Sequence, residues 1–290
     1  MGKKSKGRVA LVIAGLTWGA ALGVGAGVLV VAPALHDAPG TTQETGHRGG
    51  DAADTRRLDE AEAQVAAANE ALEGQSAALV KDNLKGKAVV IFRGPGAAPA
   101  DAAKVRELLD AAGATNAGEI ALTGKFTSQA GADQLSSLIA NTLPAGAQLS
   151  VENRSPGLHA GESFAAALFA DGAGQPRSTP EDRDFMLSAL ADAGLLEGAG
   201  SGLAAADAAV LVTGPDGEDE SAAFAERTLA DFAGGLAQSD APVVVATPGP
   251  AAEDGIGAAL DGTQGTATQE VVDTEAGAVL TVRKVAELLG

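Results

Sequence analysis

The chain reads as an α/β protein in three parts: an N-terminal transmembrane helix, a coiled-coil helix, then a mostly parallel sheet with helices on both faces. Three observations predict this. Residues 9–31 run without a single charge. Leu58, Val65, Leu72 and Leu79 recur every seven residues. From residue 85 onward, short apolar runs bounded by glycine or proline alternate with amphipathic stretches, the pattern of βαβ units.

A helix over residues 9–31, at about 1.5 Å per residue, covers the roughly 30 Å hydrocarbon core of a bilayer. Lys3, Lys4, Lys6 and Arg8 make residues 1–8 a basic tail, and no Lys or Arg follows the span closely. The positive-inside bias then places the N-terminus in the cytoplasm and the rest of the chain outside the plasma membrane. Residues 9–35 are expected to be a signal anchor. Ala32-Pro33-Ala34 has the small-x-small form of a cleavage site, so cleavage after Ala34 is the competing reading. The run is longer than the roughly 7–15 apolar residues of a secretory signal, which favours an uncleaved anchor. Gly15, Gly19, Gly23 and Gly27 are spaced by four and line one helix face, where small residues let two helices approach closely. Helix pairing in the membrane is one reading; the abundance of glycine in this chain is the other.

Residues 36–53 are rich in Gly, Thr and Asp without apolar period and read as a flexible linker. Over residues 54–84 the seam Leu58, Val65, Leu72 and Leu79 is accompanied by Ala61, Ala68 and Gln75 three residues on, with Arg56, Arg57, Glu60, Glu62, Glu70 and Glu73 flanking. An a/d pattern of this kind predicts a coiled coil that pairs with itself or with a partner helix. The alternative is an amphipathic helix lying on its own domain. Gly74 counts against a strong helix, by about 1 kcal/mol.

Residues 85–290 form the exported α/β domain. Buried strands are expected at 87–92, 119–123, 208–213 and 242–247. Helices are expected from Asp101 as N-cap to Ala112, closed by Gly113, and at 128–143, 161–170, 180–193, 218–238 and 282–289.

Composition narrows the function. The formal net charge is −18, and the first 35 residues hold four of the basic residues and none of the 38 acidic ones. An exported surface this acidic does not attract nucleic acid. Without cysteine there is neither disulfide nor thiolate metal site. The turn Gly94-Pro95-Gly96-Ala97-Ala98-Pro99 stands where a dinucleotide-binding loop would, but Pro99 replaces the third glycine and no acid ends the second strand. Gly118 to Gly124-Lys125 has the wrong count for a phosphate loop, and Phe126 stands where Ser or Thr would meet Mg²⁺. No nucleophile elbow is present, and His159 is expected in a surface loop. Acids such as Glu181, Asp182, Asp216, Glu218, Asp219 and Glu220 sit at helix starts, where the helix dipole favours them. No catalytic residue and no cofactor site is expected. His36 and His47, with Asp37 and Glu44, are weak candidates for a Cu(II) site. Met186 is expected on an apolar face with Phe185, Leu187 and Leu190.

The whole layout resembles the MctB-type copper-transport family of actinobacteria: a basic N-terminus, one span, a heptad helix, then a Rossmann-like domain. Residues 87–92 leading into a Gly/Pro turn, Asp192-Ala193-Gly194-Leu195-Leu196, and Ala209-Val210-Leu211-Val212-Thr213-Gly214-Pro215 carry the likeness. The most specific string is Glu270-Val271-Val272-Asp273-Thr274-Glu275-Ala276-Gly277, where the family reads like Asp-Asn-Val-Asp-Thr-Pro-Ala-Gly-Arg. Asp273, Thr274, Ala276 and Gly277 match; Val271, Glu275 and Ala278 depart. The resemblance implies a non-enzymatic role in copper homeostasis or efflux, with copper itself implied only by the family. Some relatives act instead at the division septum, pairing with a second membrane protein and regulating a peptidoglycan hydrolase through coiled-coil contacts.

Overall fold

The computed structural model describes residues 47–198, 202–215, 217, 219–249 and 255–290, with side chains from residue 56 onward. The expected anchor at 9–35, its Gly15, Gly19, Gly23 and Gly27 face, the Ala34 cleavage site and His36 lie outside the described residues. Among the described residues, no helix is long and apolar enough to cross a membrane. The chain divides into two compact units, residues 1–60 and 61–290.

Helix α1 (His47–Val80) begins within the expected linker and runs through Gly74, next to which a Cβ would meet nothing. It leads into β1 (Ala88–Arg93), α2 (Pro99–Ala111) and β2 (Thr115–Leu122). A 3₁₀ turn capped by Ser128 opens α3 (Ala132–Asn141), followed by α4 (Pro156–Leu168) and α5 (Pro180–Asp192). The two-residue β3 (Leu196–Glu197) precedes β4 (Ala208–Val212), α6 (Glu220–Ala237) and β5 (Val243–Ala246). A single turn, α7 (Ile256–Ala259), then β6 (Thr266–Gln269) and α8 (Glu275–Leu288) close the chain.

Among the described residues the sheet has six strands in the order β3-β2-β1-β4-β5-β6. All pairs are parallel except β2 with β3. This is the strand order of doubly wound dinucleotide folds, with an antiparallel edge. The central strand β4 is buried at every position, as a sheet covered on both faces requires.

Alternate residues of β1, β4 and β5 feed two cores. Val90, Phe92, Leu211 and Val245 face α3, α4, α5 and α6. Val89, Ile91, Val210 and Val244 face α2 and α8. Four of the seven Phe meet edge to face in the first core, with ring centroids 5.1 to 5.8 Å apart: Phe92, Phe126, Phe164 and Phe232. In the same core α4 and α6 touch backbone to backbone. A Cβ on Gly161 would lie 2.2 Å from the Phe232 carbonyl oxygen, and one on Gly235 would lie 2.4 Å from that of Leu158.

Several boundaries differ from expectation, each for a local reason. Helix α2 starts at Pro99 rather than after Asp101, with Ala98 as an N-cap that makes no side-chain bond. Proline at the first helical position is already set for the helix and lacks only an N–H that would have no intrahelical partner. His159 lies in α4, not in a loop, because Ser155 caps the Leu158 N–H at 3.2 Å and Pro156 opens the helix. Helix α8 starts at Glu275, capped by Thr274, well before residue 282. Phe185 is 60% exposed and does not share the buried face of Met186, Leu187 and Leu190.

Candidate functional site

In doubly wound sheets ligands bind at the carboxyl ends of the strands, where strand order reverses. Here that point lies between β1 and β4. The Gly94 N–H donates to the Val212 carbonyl at 2.8 Å, tying the two strand ends together. The loops beyond them abut: a Cβ on Gly214 would lie 2.7 Å from Gly96 C and 2.8 Å from the Pro95 carbonyl oxygen. What remains is a cleft of about 110 Å³ between these loops and α6, lined by Thr127, Thr213, Glu226, Leu229 and Ile256 among others. Ligand pockets are typically about 300–1,000 Å³. The acid in this cleft, Glu226, accepts the Gly217 N–H at 2.9 Å, and a carboxylate there opposes a phosphate. The Gly/Pro turn thus stands at the switch point and packs against the loop that holds Gly214.

The other sequence candidates make the following contacts. Residues 118–122 belong to β2 and only 124–127 turn, where Lys125 donates to the Ala193 carbonyl at 2.8 Å and Phe126 is buried. His159 Nε2 lies 2.8 Å from the Ser150 carbonyl oxygen and fastens the loop before α4. Ser163 Oγ donates to buried Met186 Sδ at 3.2 Å. Thr179 caps α5 ahead of Glu181 and Asp182. Asp219 caps α6, accepting the Ala222 N–H and the Ser221 hydroxyl, and those bonds hold its carboxyl below the usual range. Among the described residues no group of three or more His, Cys, Asp or Glu is placed to hold a metal ion. The side chain of His47 lies outside the described residues.

The family-like string forms a corner at the start of α8. Thr274 Oγ1 accepts the Gly277 N–H at 3.0 Å and donates to the Val271 carbonyl at 2.8 Å. A Cβ on Gly277 would lie 1.9 Å from that same carbonyl oxygen, so only glycine fits. Asp273 accepts the Gly249 N–H at 3.3 Å, joining this corner to the loop after β5. Val271 has φ +54°, a left-handed conformation that a β-branched residue adopts only under strain. Thr274 and Gly277 therefore build the cap of α8, and Asp273 ties that cap to the loop after β5.

Helix α1 meets the same corner. The Glu275 N–H donates to Asn69 Oδ1 at 3.2 Å. Glu275, 8% exposed, pairs with Lys104 of α2 at 3.2 Å, and Lys104 also reaches Glu73 of α1 at 4.0 Å and Glu107 at 3.7 Å. Burial acts to lower the Lys104 pKa, but the hydrogen bond to Glu275 and the charges of Glu275, Glu107 and Glu73 prevail and raise it. Nearby, Asp101 is pushed up by burial and by Asp273. Further along α1, Ser76 and Val80 are buried, and in the turn after the helix Leu84 donates its N–H to the Ala112 carbonyl at 2.9 Å. The seam divides accordingly. Leu79 packs on the core beneath α2 and α8 and Leu72 is half-buried, whereas Leu58 and Val65 are 64% and 50% exposed. No local pattern announces this corner, since Asn69, Lys104 and Glu275 are far apart in sequence.

Fold and site together define a doubly wound α/β domain with a small cleft at its switch point and a long helix whose C-terminal part packs on the core of α2 and α8. Comparison with known proteins adds the family. Residues 6–290 match the family described as "Copper transport outer membrane protein, MctB", and the chain belongs to that family. It is 34% identical over 139 residues to proteins named Copper transporter MctB from Mycobacterium tuberculosis and Mycobacterium bovis, covering 47% of this chain and 44% of theirs. A protein of the same name from Mycobacterium leprae is 34% identical over 142 residues, 45% of its length. The alignment thus spans less than half of these relatives.

Proposed function

We propose that this protein serves copper homeostasis or efflux at the cell envelope as a non-enzymatic, single-pass protein that works by holding helices side by side. Membership in the copper-transport family supports the copper role. The observation that carries the helix-pairing role is the exposure of Leu58 and Val65, large apolar side chains one heptad apart. Exposed apolar residues in register along a helix fit a partner helix of the same pattern, here a second copy of the chain. The Gly15, Gly19, Gly23 and Gly27 face supports pairing within the bilayer, and the uncharged run at 9–31 supports a plasma-membrane anchor with the main domain outside. One span forms no conduction path alone, so the chain acts on copper through association.

The same exposed residues favour a second reading, a septal adaptor that docks a membrane partner and regulates a cell-wall hydrolase. One experiment separates the two. A deletion strain is complemented with the parent chain or with Leu58→Asp/Val65→Asp and scored for copper sensitivity and for cell separation. The copper reading expects sensitivity on deletion that the parent reverses and the double variant does not. Normal copper tolerance with chained cells supports the adaptor instead, and full rescue by the variant overturns pairing in either role.

A further inference from the structure

One stripe of α1 carries both its docked and its exposed apolar residues. Eighteen residues are five turns of an α-helix, so Leu58 stands on the same line as Ser76. Val65 and Asn69 lie within about 20° of that line, at 100° per residue. Ser76 is 1% exposed and Asn69 is bonded to Glu275, yet Leu58 and Val65 on the same stripe are open. The face that would enter a partner helix is therefore the face that the domain covers from Asn69 onward.

Two kinds of contact hold the covered part. At its lower end Val80, and Leu84 in the turn just after it, 0% and 1% exposed, pin the helix to α2 and α8 through apolar packing. At its upper end the contacts are polar: Asn69 to the Glu275 N–H, and Glu73 to Lys104, itself anchored on Glu275. Exposed ion pairs contribute little, typically about 0–1 kcal/mol. Glu73 and Lys104 are 67% and 29% exposed in their side chains, so this end is the weaker one.

We propose that Glu275 and Lys104 form a latch over residues 69–76 of α1. Closed, it limits pairing between two copies to the Leu58–Val65 stretch; open, it frees the stripe through Leu72 while Val80 stays pinned. The inference rests on the helix-pairing reading above. Its test keeps the two apart.

The chain has no cysteine, so Val65→Cys and Leu72→Cys each report one site in the full-length protein in membranes. The latch is opened by Lys104→Met with Glu275→Pro. Proline suits the first position of α8, and Thr274 before it already has the extended backbone that precedes proline (φ −101°, ψ 154°), so the helix start is kept. Closed, Val65→Cys should crosslink between copies and Leu72→Cys should not. Opened, Leu72→Cys crosslinking should rise at least five-fold. Amide exchange at residues 69–76 should quicken at least ten-fold, with β4 and α6 unchanged. Unchanged exchange at 69–76 overturns the latch, whatever the crosslinks show. Faster exchange without any crosslink at Val65→Cys overturns the pairing reading and the role given to the latch. Crosslinking at Leu72→Cys that is equal in parent and opened variant overturns the control of pairing by the latch.

Discussion

Two helix contacts in this molecule are built on opposite terms. Helices α4 and α6 meet through Gly161 and Gly235, so close that a single Cβ would strike the opposing backbone. Helix α1 meets α2 and α8 through an asparagine, a lysine and two glutamates above one apolar pin. Backbone-to-backbone packing tolerates no sliding and belongs to the permanent core. The contact of α1 is polar at its upper end, where Asn69 and Glu73 meet Glu275 and Lys104. The difference sets a contact that cannot slide beside one held in part by polar groups.

The largest effect is expected where that contrast is broken on its rigid side. Gly161→Leu should destabilise the domain by about 3 kcal/mol or more, read as a lowered urea midpoint, because α4 and α6 must separate. Gly74→Leu on the open face of α1 should leave the midpoint nearly unchanged or raise it slightly, because nothing lies within 4 Å of that position. Next, Thr274→Ala removes the α8 cap and should cost about 1 kcal/mol by the same measure. Smaller and of opposite sign, Val271→Asn should stabilise by up to about 1 kcal/mol, since asparagine accepts the left-handed backbone that valine resists. The family-like pattern carries asparagine at this position.

The smallest effect concerns pH. The Asp101 pKa is raised in the folded state by burial and by Asp273, so its charge opposes folding at neutral pH. That cost fades as pH falls through the raised value and is gone below the unfolded one. Asp101→Asn should therefore stabilise at pH 7 and lose the gain in acid, seen by comparing urea midpoints at the two conditions. A gain that persists in acid contradicts the assignment.

The sequence was informative where a local signal existed. The strands β1, β4 and β5 are apolar runs with glycine or proline close by, and the structure places them within a residue or two of expectation. The polar, half-buried β6 and the two-residue β3 carry no such period. The starts of α4 and α8 depend on Ser155 and Thr274, whose capping role shows only with the following N–H groups in place. At the nucleotide position the glycine-rich turn was legible, but its closure against Gly214 depends on a residue more than a hundred positions away. The seven-residue repeat gave the stripe of α1, and it was silent about which part the domain covers, since that depends on Lys104 and Glu275.

The role proposed for the exposed stripe of α1 is to pair copies of the chain. Sedimentation equilibrium of the full-length protein in detergent micelles tests it most directly, comparing the parent with Leu58→Asp/Val65→Asp. The parent should self-associate, and the variant's dissociation constant should be at least ten-fold weaker. Equal association of the two would contradict it.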